Sequence, residues 1–201
     1  MTVDAAQAVD AVNSYFGRHP GFRALHAKGT LLKGTFTAEQ EASSLTRAGH
    51  MQGDAVPVTA RLSNGSGNPN QPDYAPDPRG LAVKFYLADG SRTDIVAVST
   101  PRFISRTPEG FVEMLAAQGS GVAAAWKLPL VFARHLEMLR NAPALAPSLL
   151  PPPSYAAISY HAQHAFKWID SGGGERFVRY SWQPEARERK ISLREARARG
   201  R

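Results

Sequence analysis

Val56 to Ser63 alternates without a break. Val56, Val58, Ala60 and Leu62 fall on one face, and Pro57, Thr59, Arg61 and Ser63 on the other. Period-two alternation is the mark of a strand lined differently on its two sides. It places Arg61 and Ser63 together, opposite the aliphatic set. A strand lined on both faces belongs in a barrel wall or in a sheet covered on both sides. The flanking segments agree. Thr30 to Phe36, Gly80 to Leu87 and Thr93 to Val98 are rich in β-formers, and Asp89-Gly90 is a turn between the last two. Two further strands are expected near Gln163 to Ile169 and Arg176 to Trp182, joined at Ser171-Gly172-Gly173-Gly174.

Helices surround this core. Val9, Val12 and Phe16 share a face of a helix over 3–16 that stops at Gly17. His19-Pro20-Gly21 is a turn, and 38–49 reads as polar turns or a short helix. Thr107-Pro108-Glu109 is a helix start, with Thr as N-cap and Pro in the first turn. A second helical region over 122–141 is expected to be interrupted or kinked at Pro129, before a Pro-rich crossing from Pro143 to Pro153. A short basic helix is expected from Ser192 to Arg199. Strands, then helices, then strands predict an α+β fold with an antiparallel sheet. At 201 residues one domain is expected. Within it, 1–17 is the N-terminal helix, 22–104 a first set of strands, 107–153 a helical insertion, 155–184 further strands and 185–201 a basic tail.

Composition excludes several classes. Hydrophobic residues make up 43% and charged residues 20%, values of an ordinary globular chain rather than a disordered one. No run reaches the roughly 20 apolar residues of a bilayer span, so no membrane partner is expected. Met1-Thr2-Val3-Asp4 has neither a basic nor an apolar leader region, so the expected compartment is cytoplasmic. With no cysteine, disulfides, thiolate nucleophiles and Cys-ligated metals are out. Of the net charge of +7, an excess of +4 lies between Glu185 and Arg201. That end reads as a solvated helix face with Glu/Arg pairs, and no nucleic-acid partner is expected.

Few residues carry chemistry by spacing alone. The six histidines form no HExxH pair; His161 and His164 are three apart with no third ligand in view. Asn64-Gly65-Ser66-Gly67 is glycine-rich but does not open a helix, so it is a poor phosphate loop. The long Asn64 to Pro78 stretch is a loop of functional or disordered type. His26 stands out by its neighbours Arg23, Lys28 and Gly29, and on residue type it is equally a core or surface histidine.

Arg23-Ala24-Leu25-His26-Ala27-Lys28-Gly29, followed by Gly34-Thr35-Phe36, resembles the segment around the distal histidine of haem catalases. Val58 to Ser63 resembles the catalase strand that carries an arginine and a serine. Asp77-Pro78-Arg79-Gly80-Leu81-Ala82-Val83-Lys84-Phe85-Tyr86 is similar to the catalase DPRGFAVKFY segment. Asp94-Ile95-Val96, Thr100-Pro101 with Phe103, and Tyr160 to Lys167 follow in the same order. The chain is identified by these matches as a member of the catalase superfamily, and its short segments are most similar to the small catalase-related peroxidases.

The resemblance implies a catalase-like antiparallel β-barrel, incomplete in this chain, with flanking helices. It implies haem b as cofactor, and a hydroperoxidase that reduces hydrogen peroxide or organic hydroperoxides with a small organic reductant. It makes His26 the general acid–base above the iron, with Ser63 hydrogen-bonded to its other ring nitrogen. Arg23 and Arg61 pair with haem propionates, Leu25 lines the distal pocket, and Phe103 and Phe111 pack against the porphyrin and access channel.

Two departures qualify this. Catalases carry an asparagine just after their Asp-Leu-Val-Gly run, where this chain has Val98. Loss of such a donor costs on the order of 10²–10³ in rate in other enzymes, so only weak catalase activity is expected. The tyrosinate that ligates iron in catalases lies beyond the matched region. Arg176-Phe177-Val178-Arg179-Tyr180 has its R-x-x-x-Y spacing but matches an earlier strand, so Tyr180 is not expected to be the metal ligand and none is identified. The final barrel strands are missing from the match as well. Three readings stay open: a portion of a longer hydroperoxidase, a non-catalytic catalase fold completed by a C-terminal segment or a homo-oligomer, or a chain that binds no haem in the usual way.

Overall fold

The computed structural model describes residues 3–199; Gly200 and Arg201 of the basic tail lie outside them. Six strands form one antiparallel sheet: β1 (Gly29–Phe36), β2 (Val56–Asn64), β3 (Arg79–Tyr86), β4 (Arg92–Val98), β5 (Tyr160–His161) and β8 (Ser181–Trp182), in the order β1-β2-β3-β4-β5-β8. The expected alternation of β2 holds. Val56, Val58, Ala60 and Leu62 pack into one core with Leu81, Val83, Phe85, Ile95, Ala97, Ile158 and Tyr160. Arg61 and Ser63 therefore lie on the other face. Among the described residues the sheet is open, with β1 and β8 as its edges. Leu31 and Leu32 on β1 are accordingly 66% and 46% exposed.

The last strands differ from expectation. The predicted Gln163–Ile169 and Arg176–Trp182 strands shrink to β6 (Phe166–Ile169) and β7 (Glu175–Val178), which form a separate hairpin, while Tyr160–His161 and Ser181–Trp182 join the main sheet. Packing supplies the reason. The turn is tied by Asp170, which accepts from Gly172 N and Gly174 N, and Phe166 and Trp168 both pack on Tyr180.

The helices are α1 (Ala5–Phe16), α2 (Ala42–Leu45), α3 (Pro108–Gln118), α4 (Ala124–Arg134), α5 (Leu136–Leu145) and α6 (Leu193–Ala198). α1 opens with a capping box between Asp4 and Gln7, and Thr107 caps α3 as its sequence predicts. The break in the second helical region falls at His135, not at Pro129, which sits inside α4. His135 takes a non-helical φ of −118° and ψ of 70°. Its ring nitrogens face Glu113 and Glu137, at 3.3 and 3.7 Å. Pro143 likewise lies within α5, so the expected extended crossing begins only after the 3₁₀ turn Ala146–Leu149. Among the described residues no helix is long and apolar enough to cross a membrane.

Candidate active site

Cross-strand partners in an antiparallel sheet share a face. One row therefore crosses all six strands: Gly29, Ser63, Gly80, Val98, His161 and Ser181. It lies opposite the core. The row is built of small side chains at its start, and His26 occupies the space they leave. A Cβ on Gly80 would come within 2.7 Å of His26 Nδ1 and of Ser63 Oγ. Gly80 is thus required for the histidine to lie flat on β3. Gly29 plays the same part for Arg61, whose Cζ would stand 2.7 Å from a Cβ there.

His26 is held in a costly backbone conformation. Its φ is +55°, the one positive value among the described non-glycine residues. Such a conformation costs about 1–3 kcal/mol and persists only where neighbours over-determine it. They do so here. His26 N donates to Gly65 O at 3.1 Å and Ala27 N to Ser66 O at 2.9 Å. Arg61 Nη2 donates to the carbonyls of His26 and Ala27 at 2.8 and 3.2 Å.

The ring is oriented from one side. His26 Nδ1 lies 2.7 Å from Asn64 O and 3.1 Å from Ser63 Oγ. A carbonyl can only accept, so Nδ1 carries the proton and Nε2 keeps a lone pair. The sequence assigned the orienting role to Ser63; the shorter bond comes from the backbone of the next residue. Burial holds the His26 pKa below the usual histidine value, and the Arg61 and Arg23 charges add to this against the Asn64 carbonyl. The imidazole is neutral at neutral pH and presents a free base.

Two cations stand beside it without carboxylate partners. Among the described residues neither Arg23 nor Arg61 forms an ion pair, although ten such contacts occur elsewhere. Burial and the Arg23 charge both lower the Arg61 pKa, so an anion brought to this corner is favoured. The row containing Arg61 continues through apolar side chains: Leu31, Arg61, Ala82 and Val96. Val96 is 60% exposed. Arg61 thus shares one face with the exposed apolar side chains Leu31 and Val96, and a cation beside apolar surface suits a flat apolar ligand that carries carboxylates.

The remaining predicted residues are placed as follows. Leu25 precedes His26 and is half-buried, and Val98 is half-buried on the site face. Phe103 and Phe111 pack on one another, with ring centroids 5.2 Å apart, and neither ring stacks on His26. Tyr180 packs against the β6–β7 hairpin. Its hydroxyl accepts from Trp168 Nε1 at 2.7 Å, and burial raises its pKa. Among the described residues no group of three His, Cys, Asp or Glu could hold a metal ion.

Sequence reasoning named Asp77, Arg79 and Gly80 only as part of a motif. In the structure Arg79 is fully buried, and its Nη2 donates to the carbonyls of Asp73 and Ala75 at 2.8 and 3.0 Å. Its guanidinium also lies over the Tyr155 ring. The Asn64 to Pro78 loop is thereby packed, with Ser66, Gly67 and Asp77 buried.

The fold has a solved counterpart. A structure described as that of a bacterial catalase superposes with a TM-score of 0.76, covering 98% of this chain and 39% of that one at 22% identity. The fold is that of catalases. The catalase family model matches residues 6–200, and this chain belongs to the catalase family. It is 47% identical over 191 residues to a catalase-related peroxidase of Mycolicibacterium paratuberculosis, covering 95% of this chain and 61% of that protein. It is 35% identical over 196 residues to a catalase-related peroxidase of Synechococcus elongatus, covering 96% and 58%. The chain thus spans about three fifths of the length of these relatives.

Proposed function

We propose that this chain forms the distal half of a haem-dependent hydroperoxidase that reduces hydrogen peroxide or organic hydroperoxides at the expense of a small organic donor. The observation that carries this reading is the His26 tautomer. Its Nδ1 proton is committed to Asn64 O, so Nε2 is free to take a proton from a hydroperoxide and return it to the departing oxygen. Such positioned proton transfer contributes roughly 10²–10⁴ in rate. Haem b, when bound, supplies the iron at which the O–O bond breaks. Arg23 and Arg61 would hold its propionates, and Leu31 and Val96 would support the ring. Val98 offers no hydrogen-bond donor at its own place beside Gly80, which supports one-way peroxide reduction over rapid release of dioxygen.

A second reading has its own support. The open edges β1 and β8 favour a fold that must be covered along them before it holds haem. Titration of the purified chain with ferric haem separates the two. A Soret band that saturates at one haem per chain and responds to peroxide supports the first. Absence of a specific band overturns it for this chain and favours the second.

A further inference from the structure

We infer that Asp77 is a positioning residue for His26, acting through the Gly65–Ser66 turn. The inference rests on the reading of His26 as the proton-transfer group. The geometry is a chain of short contacts. Asp77 Oδ2 accepts from Gly65 N at 2.7 Å, from Ser66 N at 3.0 Å and from Gln71 Nε2 at 3.1 Å. The same two turn residues turn their carbonyls to the histidine segment, Gly65 O to His26 N and Ser66 O to Ala27 N. Asn64, just before the turn, supplies the carbonyl that holds Nδ1. One buried carboxylate thus fixes the amide side of a turn whose carbonyl side fixes the histidine.

Three further observations bear on this. Asp77 is 9% exposed, so its hydrogen bonds are shielded from competing water. The Arg79 guanidinium stands 3.7 Å from Oδ2, and it anchors the rest of the loop through backbone carbonyls. A Cβ on Gly65 would meet Asp77 Oδ1 at 2.9 Å, so only glycine lets the carboxylate close on the turn. The left-handed φ of His26 is what this arrangement stabilises. Without the turn the segment would relax toward ordinary backbone angles and the ring would leave Asn64 O.

The test reads the imidazole directly, without haem. The 201-residue chain is prepared with ¹⁵N-labelled histidine, as wild type, Asp77→Asn, Asp77→Ala and Gly65→Ala. Ring ¹⁵N shifts report the tautomer of each histidine. Wild type should show His26 as the Nδ1–H form. All three variants should show a mixture with the Nε2–H form, a change of tenfold or more in the ratio. His50 and His161 should keep their wild-type signals. Retention of the pure Nδ1–H form in folded Asp77→Asn and Gly65→Ala would overturn the inference. So would loss of the fold in all three variants, because Asp77 would then support the sheet rather than the histidine. Haem titration of the same samples is scored separately: failure of the wild type to bind haem counts against the proposed function and leaves the tautomer result to decide the role of Asp77.

Discussion

Gly80 and His26 occupy one space: the imidazole lies where the side chain of any other residue at position 80 would begin, with Nδ1 2.7 Å and Cε1 2.8 Å from the Cβ position. The relationship is one of exclusion. It explains why a glycine stands mid-row in a strand that is otherwise tightly packed, and it ties the site to the register of β2 and β3.

Gly80→Ala should therefore displace the ring or the strand. Forcing a methyl into filled space costs about 1–3 kcal/mol. The expected result is a fall of several degrees in Tm, together with loss of the His26 Nδ1–H signal in ¹⁵N spectra. An unchanged spectrum would show that the ring does not rest on β3.

His26→Gln should leave haem affinity within severalfold of wild type, because the cations at Arg23 and Arg61 remain. Peroxide-driven oxidation of the bound haem should slow by about 10²–10⁴. Stopped-flow absorbance measures this, and wild-type kinetics in the variant would remove His26 from the mechanism.

Val98→Asn restores a donor to the row next to Gly80. Dioxygen release from hydrogen peroxide should rise, by up to about 10²-fold if the missing donor limits it. An oxygen electrode follows this. No gain in a variant that still binds haem would place the limit elsewhere.

Stability should fall on acidification. His26 and His50 both have pKa values lowered by burial. His50 is 6% exposed, its ring centroid lies 4.6 Å from that of Phe85, and neither of its ring nitrogens has a partner. Below the usual histidine pKa of about 6.5 the unfolded chain takes up protons that the folded chain refuses. The histidine contribution is thus complete above that pH and is lost as pH falls toward the lowered folded-state values. The urea midpoint should drop between about pH 7.5 and about pH 5.5, and the drop should be smaller in His50→Phe. An equal drop in both proteins would show that His50 takes no part.

Much of the sheet was readable in advance because its signal is local. The alternation of Val56 to Ser63, the Asp89-Gly90 turn and the Thr107-Pro108 helix start each depend on neighbours in sequence, and each stands within a residue or two of expectation. The late strands were harder. β-Forming residues flank the Ser171–Gly174 turn on both sides, and whether they join the main sheet or fold back as a hairpin depends on contacts with Tyr180 and Asp170. The helix break also lies outside local reach: Pro129 disfavours a helix locally, yet it sits inside α4, and the break falls at His135, whose ring faces Glu113 and Glu137.

The sequence by itself determined the α+β class, the alternation of β2, and, through the motifs around His26 and Arg79, membership of the catalase family. It also determined that Val98 stands where a donor is expected. Tertiary structure alone decided the chemistry of His26. Its tautomer depends on a backbone carbonyl of Asn64, 38 residues away in sequence, and a carbonyl carries no residue-type signature. Its left-handed backbone depends on the Gly65–Ser66 turn and on Asp77 beyond it. Residue identity reports what a side chain can do; only the folded chain brings together the donors and acceptors that select one state.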